Sequence, residues 1–100
     1  MESKVKVRDF EGLQQFLRDN NIFSMYGFDR IGVFGSFVRG EKYQDIDLLL
    51  EKDINYHQRT ALKNFLEKSL NIPFDIMLKN IAEPIILHRA LKEIKYATPT

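Results

Sequence analysis

Apolar residues recur along this chain in two rhythms. Between residues 9 and 20, Phe10, Leu13, Phe16 and Leu17 fall at helical spacing, which predicts an amphipathic helix with Asp9 as N-cap and Asn20-Asn21 at its close. "RIGVF", Arg30 to Phe34, is a short apolar run stopped by Gly35 and reads as a buried strand. Asp45 to Glu51 alternates into a second strand. Asp53 or Asn55 can then cap a second helix, whose stripe is Leu62, Phe65, Leu66 and Leu70. Pro73 opens a third strand, "FDIMLK", a place where proline is tolerated. Phe74, Ile76 and Leu78 point to one side of it, Asp75 and Met77 to the other. "AEPIILHRALKEIKY" predicts a last helix with Pro84 at its first position, Glu83 in its first turn, and a buried stripe of Leu87, Ala90, Leu91 and Ile94.

The predicted order is helix, strand, strand, helix, strand, helix. The loop between the first two strands is short enough for antiparallel pairing. A strand–helix–strand crossover makes the second and third strands parallel neighbours. The expected class is α/β (α+β): a small mixed β-sheet with helices packed mainly on one face. No internal repeat or Pro/Gly/Ser linker divides the chain, so residues 1–100 are expected to form a single domain. The first few residues and Thr98-Pro99-Thr100 are expected to fray.

Composition narrows the chemistry. Fifteen lysines and arginines oppose 14 acids, for a net charge of +1, so no general field draws the chain to DNA or to a membrane. The absence of cysteine excludes disulfides and thiolate metal sites and agrees with a reducing cytoplasm. No segment approaches the ~20 apolar residues that span a bilayer. Charge chemistry must therefore be local.

The locality is "VFGSFVRGEKYQDIDLLLEKD". Alternation puts Asp45, Asp47 and Leu49 on one strand face and Ile46, Leu48 and Leu50 on the other. The two carboxylates then stand about 7 Å apart at the backbone. Asp75 is the lone acid of the neighbouring strand, so three carboxylates converge if the strands pair in register. Left alone, they would raise one another's pKa. A hard divalent cation such as Mg²⁺ offsets that repulsion, and two such ions can hold the attacking and leaving oxygens of a phosphoryl transfer. Upstream, Gly35 lets a ligand approach the backbone closely, and Ser36 offers a hydroxyl and an N–H. If "SFVRG" makes one helical turn, its N-terminus suits phosphate oxygens, with Arg39 and Lys42 adding positive charge.

Each element also has a plainer reading. Gly-Ser is a common turn, Asp-x-Asp is a common solvated strand face, and loop charges are usually just exposed. Phe37, Tyr43 and Tyr26 offer an exposed aromatic set of no assigned role. His57 and His88 have no metal-ligand neighbour at helical spacing. The ordered combination is what carries weight.

That combination, "GSFVRGE", then "DIDLLL", then "FDIML", resembles the nucleotidyltransferase superfamily that includes DNA polymerase beta, and in particular its minimal nucleotidyltransferases. The likeness spans residues 28 to 97. It implies that Gly35 and Ser36, with Arg39, hold a nucleoside triphosphate, and that Asp45, Asp47 and Asp75 are catalytic and bind Mg²⁺, two ions. It implies further that AMP passes from ATP to an acceptor hydroxyl. The chain lacks a thumb or basic groove for a polynucleotide. Small members of this kind resemble antitoxins that adenylylate a tyrosine of a separately encoded HEPN-domain protein, here the expected partner. Two departures stand out: the loop of residues 37–44 is shorter than the family pattern, and Gln44 replaces a serine. They keep open a binding module that neutralises its partner by occlusion. A small-molecule modifier of the aminoglycoside-nucleotidyltransferase kind would need a further substrate-binding domain from another subunit.

Overall fold

The computed structural model describes residues 6–100, so the fraying expected of the first few residues lies outside the described residues. Helix α1, Phe10–Asp19, starts where the Asp9 carboxylate accepts the Gly12 N–H at 2.9 Å. A short helix α2, Ile22–Tyr26, follows and buries Ile22 and Phe23. It spans too little chain to show an amphipathic period, and the sequence reading had no element there. Strand β1 is Ile31–Phe34 and β2 is Ile46–Leu50. Asn55 caps helix α3, Tyr56–Leu70, through a reciprocal pair: its side chain accepts the Gln58 N–H at 2.8 Å, and Gln58 returns the favour to the Asn55 N–H at 2.9 Å. Asp53 instead accepts from Asn80. Strand β3, Phe74–Leu78, follows, then a 3₁₀ turn at Lys79–Ile81.

Helix α4, Pro84–Glu93, has Pro84 in its first turn, with Glu83 as the N-cap rather than within that turn. It stops earlier than the sequence suggests. Lys95–Ala97 forms a fourth strand, β4, where a continuation of the helix was expected. The tail is tied at Thr98: Arg18 Nε donates to the Thr98 carbonyl at 2.7 Å, and the Thr98 N–H donates to Gln14 at 2.9 Å.

The sheet order is β3-β2-β1-β4. β1 pairs antiparallel with β2 and with β4, while β2 and β3 are parallel, as the crossover predicts. One face carries Ile31, Val33, Ile46, Leu48, Leu50, Phe74, Ile76 and Leu78. These close against Leu13, Phe16 and Leu17 of α1, Ile22 and Phe23 of α2, and Leu62, Leu66 and Leu70 of α3. Phe65, expected in the α3 stripe, lies at the rim, with its ring 6.0 Å from that of Phe16.

Helix α4 lies on the opposite face, with its end against β1. Of its expected stripe only Ala90 is buried, and Leu91 is exposed. Ile94 lies beyond the helix and packs on Gly32, where any Cβ would overlap its side chain.

Candidate active site

The acids come together through sheet register. Phe34, Asp47 and Asp75 are direct neighbours across β1, β2 and β3, with Gly32, Leu49 and Met77 as the next row on the same face. Adjacent strands stand ~4.8 Å apart, so Asp47 and Asp75 share one patch. Asp75 is exposed, Asp47 half-buried, and Asp45 lies just before β2 on the same side. Burial is the first reason that the Asp47 carboxyl is pushed up to about 6. The charges of Asp45, Asp75 and Glu93 add to the rise, and Arg39 opposes it. Negative charge here is under-compensated.

The turn after β1 supplies the facing wall. Its N–H groups fold back in helical fashion: Arg39 to the Gly35 carbonyl at 3.3 Å, Gly40 to Phe37 at 3.2 Å, and Glu41 to Ser36 at 3.1 Å. Gly35 has φ +85°, and a Cβ there would overlap Asp47 Oδ2, so the bare backbone rests on that carboxylate. Phe37 holds the turn down. It was expected on the surface, yet it is 3% exposed, edge-on to Tyr43 at 4.8 Å. Tyr43 in turn donates to the Val7 carbonyl, and Tyr26 stacks on Phe28. The aromatic set serves packing, because a loop this short must bury an anchor to stay in place.

Two residues that the sequence reading did not single out join the site. Glu93 Oε2 accepts the Gly35 N–H at 2.9 Å, and its Oε1 accepts from Arg39 Nη1 at 2.6 Å. Arg39 Nε also lies 3.1 Å from Glu41. Arg59, from the first turns of α3, lines with Asp47 and Asp75 a groove of about 470 Å³ whose apolar rim includes Ile81 and Ile86. No local pattern marks Glu93. Only the register of β4 against β1 brings it there.

Among the described residues, no three acids or histidines are gathered closely enough to hold a metal as they stand. In kind the donors fit a hard cation: carboxylate oxygens only, half exposed, with uncompensated charge. Asp45, Asp47 and Asp75 are the residues that would hold it.

A four-stranded mixed sheet thus sets a Gly-Ser turn against paired aspartates, the arrangement expected of a nucleotidyltransferase. The chain matches the family model "Polymerase beta, Nucleotidyltransferase" over residues 11–96 and belongs to that family. Within it, the chain is similar to the protein adenylyltransferase MntA of Thermococcus cleftensis, with 33% identity over 71% of this chain and 76% of the relative. A putative protein adenylyltransferase of Methanocaldococcus jannaschii is 37% identical over 75% of this chain and 94% of its own length. The fold also matches a chain from the complex of a tri-AMPylated Shewanella oneidensis HEPN toxin with its MNT antitoxin. That match has a TM-score of 0.60 and 22% identity, and it covers 87% of this chain and 73% of the other. The protein is thus an enzyme of the minimal, MntA-like kind. Among the described residues, no helix is long and apolar enough to cross a membrane.

Proposed function

We propose that this chain transfers AMP from ATP to a tyrosine hydroxyl of a separately encoded HEPN-type partner in the cytoplasm, with Mg²⁺ as cofactor. The observation that carries the reading is the row Phe34–Asp47–Asp75, with the Gly35 turn seated on the Asp47 carboxylate. The adenylyltransferase names of the relatives and the AMPylated partner in the solved neighbour support it. In this reading the acceptor oxygen attacks the α-phosphorus. The bond to the β-phosphate oxygen breaks, and pyrophosphate leaves with that electron pair. Asp75, the most exposed of the three acids and on the edge strand, takes the acceptor side and helps remove the hydroxyl proton. Ser36 and Arg39 hold the leaving phosphates, and Asp45, Asp47 and Asp75 are the residues that would hold the metal. Mg²⁺, when bound, would offset charge on the phosphoryl oxygens and orient attack and departure.

Occlusion without transfer is the second reading. The observation in its favour is that Arg39 is already engaged by Glu93 and Glu41. Intact-mass spectrometry separates the two. The chain is incubated with ATP, Mg²⁺ and the protein encoded beside it. An adenylate-sized gain on that protein, absent with Asp47→Asn, supports transfer. A tight complex with no gain, unchanged in the variant, supports occlusion.

A further inference from the structure

Glu93 sits at the end of α4, far along the chain from the Gly35–Arg39 turn, yet it grips both ends of that turn. One carboxylate oxygen takes the peptide N–H that opens the turn, and the other takes the guanidinium that closes it. We propose that Glu93 is a positioning residue of the transfer reaction, acting through Gly35 and Arg39 to hold the phosphate-facing turn in its working shape. This inference rests on the function proposed above.

The placement follows from the sheet. β1 and β4 pair Ile31 with Ala97, Gly32 with Tyr96, and Val33 with Lys95. Glu93 ends α4 two residues before β4 begins, so that pairing brings the helix end beside the turn after β1. Ile94 locks the position by filling the space over Gly32. Glu93 therefore reaches the turn from a rigid element, which is what a positioning group requires.

The turn needs such a hold. Both Gly35 and Gly40, at its two ends, lie at positive φ, and neither has a side chain that could pin its end by packing. Phe37 fixes the middle of the turn but not its ends. A carboxylate suits the two ends because both present donors, and charge-assisted bonds to such donors are the stronger kind. A glutamine has one acceptor oxygen, and its amide would face a donor. The carboxylate is held despite lying beside Asp47, whose ionisation it opposes. An apolar residue would serve packing alone without that repulsion.

One consequence concerns Gly35 itself. Its N–H is already committed to Glu93, so its part in nucleotide binding is the space it leaves above Asp47. Ser36 and the free side of Arg39 are left for the phosphates.

The test uses the full chain with ATP, Mg²⁺ and the protein encoded beside it, following transfer by intact mass and ATP binding by calorimetry. For Glu93→Gln and Glu93→Ala, kcat is expected to fall about 10- to 100-fold while KM for ATP moves less than about threefold. On an Arg39→Ala background the same change should add little, because the two residues act as a unit. Unchanged kcat in a transferring wild type overturns the inference and leaves the proposed function standing. Tighter ATP binding with undiminished transfer also overturns it, since Glu93 would then be a competitor for the phosphates. If the wild type transfers nothing, the functional reading fails and the reaction role of Glu93 with it, and amide exchange then decides only whether Glu93 holds the turn. Faster exchange confined to residues 35–39 in Glu93→Gln supports it, and unchanged exchange overturns it. Glu93→Gln, nearly isosteric, keeps the test valid should Glu93→Ala not fold.

Discussion

The two faces of one sheet obey different rules. On the apolar face, Ile31, Val33, Ile46, Leu48 and Phe74 are at most 1% exposed, and three helices close over them. On the acid face, Asp47 and Asp75 stand in register, with α4 on one side and the first turns of α3 at the edge. Helix α4 buries only Ala90 and leaves Ile85 62% and Ile86 52% exposed. The first face is packed for stability. The second gives up packing for an open, negatively charged groove. Burying those carboxylates fully would neutralise them, whereas half-burial keeps Asp47 titratable near neutral pH.

The contrast can be broken most directly from the packed side. Leu48→Ala, at a fully buried position, should cost about 2–5 kcal/mol in denaturant unfolding. A loss below about 1 kcal/mol would mean that this face is not the core. Next in size is Gly35→Ala. A methyl group at positive φ, overlapping Asp47, should cost roughly 1–3 kcal/mol and abolish transfer, read by thermal melting and intact mass.

Asp47→Asn inverts the usual pattern. Transfer should drop by about 100-fold or more. The metal-free chain, however, should gain about 1 kcal/mol at pH 8, a value discounted for the half-exposed carboxyl. The sign follows from folding raising this pKa. The native state favours the protonated form, so that stabilisation is complete below roughly pH 4 and is lost as pH rises through about 6. Melting temperatures of wild type and variant should therefore draw apart between about pH 4 and pH 6 and hold a constant difference above that, and Mg²⁺ should narrow the gap. The smallest effect belongs to the surface of α4. Ile85→Ser should change stability by no more than about 0.5 kcal/mol. A larger loss would show that this helix is packed after all.

Much of the molecule was legible because the forces that shape it are local. Asp9 and Asn55 sit where orphan helix N–H groups need an acceptor. Val33, Leu48 and Ile76 belong to segments whose two-residue alternation sets the buried face wherever the strand lies. The same alternation placed Asp45 and Asp47 on one side, and the crossover rule brought Asp75 alongside.

Tertiary structure decided the rest. Strand β4 is three residues long, and no three-residue segment carries a readable period. It is a strand because β1 offers it an open edge and because Arg30 stacks 3.6 Å over Tyr96. Phe37 is buried for want of loop length. Glu93 reads as an ordinary surface acid at a helix end. It meets Gly35 and Arg39 only through pairing between strands some sixty residues apart. By itself, the sequence determined which strand residues turn inward and which acids share a face, since strand alternation acts between near neighbours. Which distant groups meet at the turn depended on the closed sheet, because that contact exists only after the chain has paid the entropy of folding.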